Sequence, residues 1–191
     1  YYALTTANAY QQGITDPKKI SELAHSATFI YNQIKVASCR GGARISDAMN
    51  FLMKYGDCYM NEFHETDCNI RPDQADFESA LRFKVKDFGT LFGTEAHPDN
   101  KVANTVSSVE AGKPVVIGML VTPSFNILQT SLWSPTEDVS ENVGGHAMCV
   151  VGYNDYNKTF EVVNSWGKEW GDDGFFTISY DDFGKFVKYG Y

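Results

Sequence analysis

Apolar positions change their spacing about halfway along the chain. Up to about residue 85 they recur at three- and four-residue intervals, the mark of helices with one buried face. Ala3 to Gln12 reads as a first helix, stopped by Gly13 and Pro17. Ala27 to Val36 carries Ile30 and Ile34 four apart, on one helical face. Ser46 is placed to cap a helix over Asp47 to Lys54, with Ala48, Phe51 and Leu52 as its apolar stripe and Tyr55-Gly56 as its end. Pro72 to Ala80 predicts one more short helix, with proline near its start.

Beyond that point the pattern is mostly that of strands. Phe83 and Val85 predict a short one, and Lys101 to Ala111 predicts a helix stopped by Gly112. Strand-like runs follow at 114–121, 146–153, 159–164 and 174–180. The first two are almost continuously apolar, as expected of strands buried on both faces. Asn154-Asp155-Tyr156-Asn157 is a turn between two of them. Helices first and strands second predict an α+β chain in two lobes, 1–85 helical and 86–191 β-rich, with a cleft between them as the natural binding site.

Composition narrows the function classes. The chain has 191 residues, with 16 Lys+Arg against 24 Asp+Glu, a net charge of −8, and 43% hydrophobic residues. That is a globular balance rather than a disordered one. The acid excess argues against nucleic acid as a partner, since phosphate binding needs clustered Lys and Arg. No apolar run approaches the roughly 20 residues that span a bilayer. Tyr1-Tyr2-Ala3-Leu4 is neither a start methionine nor a basic signal region, so the chain reads as a cut or processed piece, and part of a larger chain or assembly fits that reading.

The four cysteines, Cys39, Cys58, Cys68 and Cys149, contain no C-x-x-C pair, and neither a structural metal nor any other cofactor is expected. Cys149 reads as a small buried hydrophobe. Cys58 and Cys68 bracket the polar loop Tyr59 to Asp67, which a disulfide would close; such a bridge implies an exported setting (periplasm, cell surface or extracellular space). Cys39 is then left over. His25, His64 and His97 read as surface or loop histidines, and the pairs Asp172-Asp173 and Asp181-Asp182 as a solvated acidic rim that would favour basic substrates.

Two segments carry chemistry: Gly144 to Tyr153, and Val162 to Phe176. His146 opens an apolar strand just after two glycines, which leave its imidazole uncrowded. An unperturbed imidazole titrates near ~6.5, which suits acid–base work. Asn164 ends the next strand, and the hairpin between them brings the two residues together. Its amide oxygen can accept from one ring nitrogen, which leaves the other for a nucleophile. Trp166 is placed to keep water from that bond.

These segments resemble the papain-like cysteine peptidases, in their His-bearing strand (G-H-A-x-x-x-V-G-Y) and their N-S-W-G-x-x-W-G-x-x-G-[FY] signature. Cys39-Arg40-Gly41-Gly42 resembles the family's C-x-G-G stretch, and Thr28 to Asn32 and Cys58 to Pro72 resemble bacterial members. The resemblance implies a two-lobed fold with a helical lobe, an antiparallel barrel-like lobe and the active site between them. It implies hydrolysis of peptide or protein substrates by a cysteine nucleophile, with His146 as base, Asn164 as its orienter and Trp166 in support. Gly41 and Gly42 would hold the substrate backbone, and Gly145 and Ala147 would line a roomy, apolar side-chain pocket.

The front of the chain departs from the family. Matching Tyr2-Ala3-Leu4 to the aromatic, small and apolar positions after the family's nucleophile puts Tyr1 on the nucleophile position. A phenol, with a pKa of ~10 against ~8.5 for a thiol, does not serve there. The family's oxyanion Gln, and the cysteine that usually pairs with the C-x-G-G cysteine, have no counterpart. Three readings stay open: a peptidase whose sequence continues upstream, a pseudopeptidase acting as a peptide-binding or structural module, or a register in which the nucleophile directly precedes Tyr1.

Overall fold

The computed structural model describes Thr5, Thr6, Ala9 and residues 11–191. Thr5, Thr6, Ala9 and Gln11 are helical, in line with a first helix; the rest of that prediction up to Tyr10, and the nucleophile position at Tyr1, lie outside the described residues. The chain divides into two compact units between Phe88 and Gly89.

The first unit is helical. Pro17, expected only to stop a helix, opens one at Pro17–Glu22, where the Asp16 side chain accepts from the Lys18 amide at 2.9 Å. Proline suits a first helical position because no partner for its missing N–H is needed there. Ala27–Ile34 is capped by Ser26, and Ile45–Tyr55 begins after Arg44 without a side-chain cap, so Ser46 lies inside the helix rather than before it. Gln74–Ala80 starts from Asp73 in a capping box with Asp76. A 3₁₀ turn over Leu81–Phe83 stands where a strand was predicted. The core forms around Phe29, fully buried, with Phe51, Phe63 and Phe77 presented edge-on at 5.3–5.9 Å.

The disulfide differs from the expected one. Cys39 pairs with Cys68, and Cys58 is a free thiol buried among Phe29, Phe51, Phe63 and Ala80. Local bonds explain the exchange. Cys58 is drawn inward as its carbonyl accepts from the Ser26 amide and its neighbour Tyr59 bridges to His25. Cys68 is held beside the helix Ala27–Ile34, where Asn32 Nδ2 donates to the Asp67 and Ile70 carbonyls and Lys35 Nζ donates to the Cys68 carbonyl at 2.7 Å. His25, expected on the surface or in a loop, has its imidazole packed between Tyr59 and Phe83, with Nδ1 3.7 Å from the buried Asp57 carboxyl.

The second unit is a sheet with helices packed on it. Its strands are β1 (Val115–Val121), β2 (Leu132–Trp133), β3 (Gly144–Asn154), β4 (Thr159–Val163), β5 (Phe175–Ser179) and β6 (Val187–Gly190). They run in the order β2-β5-β4-β3-β1-β6, antiparallel except for β2 beside β5. In β1, Val115, Ile117, Met119 and Val121 are buried and alternate with half-buried residues, so the run is closed from water on one face rather than both. That is the usual state of an antiparallel strand. The helices Pro98–Glu110 and Tyr180–Phe186 flank the sheet. Lys101 is buried between them, and its Nζ donates to the Gly184 and Val187 carbonyls at 3.0 and 2.8 Å.

Burial lowers His25 to a pKa of about 4 and raises Asp57 to about 7. Between about pH 4 and 6.5 the unfolded chain therefore carries its proton on His25 and the folded chain carries it on Asp57, and the two slopes cancel. Asp57→Asn removes only the carboxyl. Its stability is expected to climb by up to about 1.4 kcal/mol per pH unit from pH 4 to 6.5, while the parent stays nearly flat there and weakens toward pH 7. Urea unfolding midpoints across that range decide it, and parallel profiles for the two proteins would refute the account.

Candidate active site

The site is built where β3 begins and β4 ends. β3 and β4 are antiparallel, with Cys149 opposite Val163. Carrying that register one residue further puts Asn164 across from Met148, so His146 is its diagonal neighbour on the same face. Diagonal pairs lie within reach of long side chains. His146 Nε2 and Asn164 Oδ1 are 2.8 Å apart.

A second bond assigns the atoms. The Ser165 main-chain N–H also donates to Asn164 Oδ1, at 2.8 Å. A backbone N–H only donates, so the amide oxygen, not its nitrogen, faces the histidine. Nε2 must then carry the hydrogen, and Nδ1 is the basic nitrogen. Asn164 Nδ2 is buried without a hydrogen-bond partner among the described residues. Leaving such a group unpaired is costly, and the two bonds at Oδ1 offset that cost.

Trp166 lies over the imidazole, stacked at 4.8 Å between ring centroids and 29° between planes. Behind it stands a residue that the pattern of the chain did not single out. Phe125, fully buried in the short helix Pro123–Asn126 after β1, puts its ring 5.5 Å from Trp166, 4.8 Å from Trp170 and 6.5 Å from His146. Its carbonyl accepts from Trp170 Nε1 at 2.9 Å. Ser124 fixes that helix: its amide and hydroxyl each donate to Glu137 at 2.9 Å, which holds the Glu137 carboxyl below the usual range. Thr122-Pro123-Ser124 signals this helix, a start directly after a strand, but no local pattern marks the role of Phe125.

The loop from Asn164 to Phe175 needs its glycines. Gly171 has φ 65°, and a Cβ there would run into the Phe175 carbonyl. Gly145 and Ala147 are exposed on the face of β3 opposite His146. In the first unit, Gly41 and Gly42 lie in a tight turn where the Val36 amide donates to the Gly42 carbonyl, and a Cβ on Gly41 would overlap the Val36 carbonyl.

Among the described residues no cysteine is activated. Cys39 and Cys68 are bonded to each other, and burial raises the Cys58 thiol to about 12 and the Cys149 thiol to about 11. Cys39, Asp67 and Cys68 cluster at metal-ligand spacing, but the disulfide uses both sulfurs.

A half-buried imidazole with one nitrogen pinned by an amide and the other basic is arranged to take a proton from a neighbouring nucleophile. The sequence profile of the papain family cysteine proteases matches residues 2–186. The chain belongs to that family. An uncharacterized peptidase C1-like protein of Acanthamoeba polyphaga mimivirus is 30% identical over 145 residues, 73% of this chain and 47% of that protein. Zingipain-2 of Zingiber officinale is 27% identical over 140 residues, 72% of this chain and 58% of that protein. The chain thus spans about half the length of these curated relatives. Xylellain, a cysteine protease from Xylella fastidiosa, shares the fold at a TM-score of 0.76 and 23% identity, covering 99% of this chain and 76% of that one. Procathepsin L 3 of Tenebrio molitor shares it at 0.67 and 17%, covering 98% and 60%. The chain therefore has the papain-like α+β fold.

If Asn164 pins the tautomer and Trp166 seals it, the two substitutions separate. Asn164→Ala should abolish the slowly exchanging His146 Nε2–H proton signal in NMR. Trp166→Ala should keep that signal but speed its exchange with water roughly tenfold, by opening the site locally. An unchanged signal in Asn164→Ala would refute the tautomer assignment.

Proposed function

We propose that this chain provides the base and its orienter for a thiol peptidase that hydrolyses peptide bonds in peptides or proteins. The single observation that carries this is the 2.8 Å bond between His146 Nε2 and an Asn164 oxygen fixed by Ser165. In the proposed cycle Nδ1 of His146 takes the thiol proton, and the thiolate attacks the scissile carbonyl. The imidazolium then protonates the leaving amine, and water releases the acyl group. Asn164 stabilises the imidazolium through Nε2–H, and Trp166 keeps water from that bond. Gly41 and Gly42 would pair with the substrate backbone as an added strand. Gly145 and Ala147 would leave room for a bulky apolar side chain.

The thiol in this reading is a cysteine other than Cys39, Cys58, Cys68 and Cys149, for the reasons of bonding and burial given above. The same observation favours a second reading, a pseudopeptidase that binds peptides without cutting them. The Cys39–Cys68 bridge supports an exported setting, because such bonds persist in oxidising compartments. Among the described residues no helix is long and apolar enough to cross a membrane.

The complete protein should hydrolyse a dye-linked peptide, and His146→Ala should lower kcat by about 10³-fold or more. A thiol-directed epoxide should label one cysteine outside these four, as read by peptide mass. Absence of both hydrolysis and labelling would overturn the peptidase reading in favour of the inactive one.

A further inference from the structure

The second unit holds a groove that the proposed hydrolysis does not use. It encloses about 820 Å³ between the helix Pro98–Glu110, the β3–β4 turn and the start of the helix Tyr180–Phe186. Asp99, Val102, Val106 and Glu110 recur at three- and four-residue spacing, so they form one stripe of the first helix. Val102 and Val106 are half-buried and pack with Tyr180 against the sheet core, giving an apolar floor. Asp155 on the far wall lies one residue beyond β3, whose first residues hold His146. Eight strand steps carry the chain from His146 to Asn154, roughly 26 Å. A ligand in the groove therefore leaves the histidine open.

Its charge is lopsided. Four carboxylates (Asp99, Glu110, Asp155 and Asp181) face two lysines, and all six are exposed. Both lysines are already engaged, Lys158 with Asp155 and Lys185 with Asp182, each at 3.3 Å. Glu110 and Asp181 have no ion pair or side-chain hydrogen bond among the described residues. Glu110 is also the last residue of its helix, where the helix dipole disfavours an anion. Two unbalanced carboxylates over an apolar floor complement a segment that alternates apolar and cationic side chains, and repel acidic peptides and nucleic acid alike.

We propose that this groove is an exosite that holds a basic, extended segment of a protein substrate, with apolar side chains on Val102, Val106 and Tyr180 and a lysine or arginine against Glu110 and Asp181. The substrate role rests on the peptidase reading; the binding does not. Binding is tested with a fluorescein-labelled nonapeptide alternating lysine and leucine, added to the complete protein carrying His146→Ala so that nothing is cut. The expected result is a saturable rise in anisotropy, weakened at least tenfold by Glu110→Lys with Asp181→Lys and by 0.5 M salt. Equal binding of the glutamate–leucine counterpart, or no effect of the charge reversal, overturns the exosite. The substrate role is tested in the active protein. Charge reversal should raise KM for a lysine-rich protein several-fold and leave kcat/KM for a short dye-linked peptide unchanged. Unchanged KM for both substrates, with peptide binding lost, would make the groove a docking site for something other than substrate and overturn that part.

Discussion

The site depends on one hydrogen bond, from His146 Nε2 to Asn164 Oδ1, and much of the second unit is arranged around it. The bond requires the β3–β4 register, because a one-residue slip would send His146 to the opposite face of the sheet. It requires the Ser165 amide, which stops the asparagine from presenting its nitrogen. It also requires a dry neighbour. In water an imidazole–amide bond competes with solvent at little net gain, and exclusion of water is what makes it selective. Trp166 supplies that cover, although two-fifths of its own surface is exposed. Its position is enforced from beneath by Phe125 and Trp170, edge-on to its ring at 5.5 and 5.4 Å.

How much of this was legible in the sequence follows from the physics of each part. The β3 and β4 runs, the His146–Asn164 pairing and the Trp166 cover could be read, because antiparallel hairpins convert sequence spacing into spatial neighbours. The helices Ala27–Ile34 and Ile45–Tyr55 could be read from apolar spacing. Phe125 could not, since its role comes from contacts with Trp133, Trp166, Trp170 and Phe176, which are separated from it by 8 to 51 positions and follow no local period. The cysteine pairing was misread for a similar reason. Cys58 and Cys68 are close in sequence, but the pairing was decided by which thiol the Phe29 core takes in. The strand at Phe83 and Val85 failed because two apolar residues two apart also fit an irregular edge packed on a core. There Phe83 serves as a wall for His25 and Tyr59.

The first unit shows how polar groups set the shape of irregular chain. Among the described residues its loops carry no strand, only the single bridge between His25 and Tyr59. They are tied by side chains that reach main-chain carbonyls: Ser26 to Phe63, Asn32 to Asp67 and Ile70, Lys35 to Cys68, and Tyr31 to Cys39. Two of these ties converge on the residues of the disulfide, so the bridge closes a loop whose ends are already held. A disulfide contributes least native strain when its partners are prepositioned in this way. The cost of the arrangement falls on His25 and Asp57, both buried and both driven toward their neutral forms.

The two ends of β3 are built of opposite materials, and that contrast gives the second unit its direction. At the His146 end the neighbours are aromatic, and the bond that matters is protected by removing water. At the Asn154 end the strand runs out into exposed carboxylates and lysines, where water screens every interaction. A proton transfer needs the first environment, because its electrostatics must be strong and local. Capture of a long charged partner needs the second, because association gains from fields that reach outward and can be released by salt. One strand links the two, and its length of roughly 26 Å exceeds the Debye length of about 8–10 Å, so the charged end has little influence on the dry one. The acidic excess of the chain, silent about chemistry when read as a total, thus acquires a location: part of it lies at the end of the sheet that does not hold the histidine.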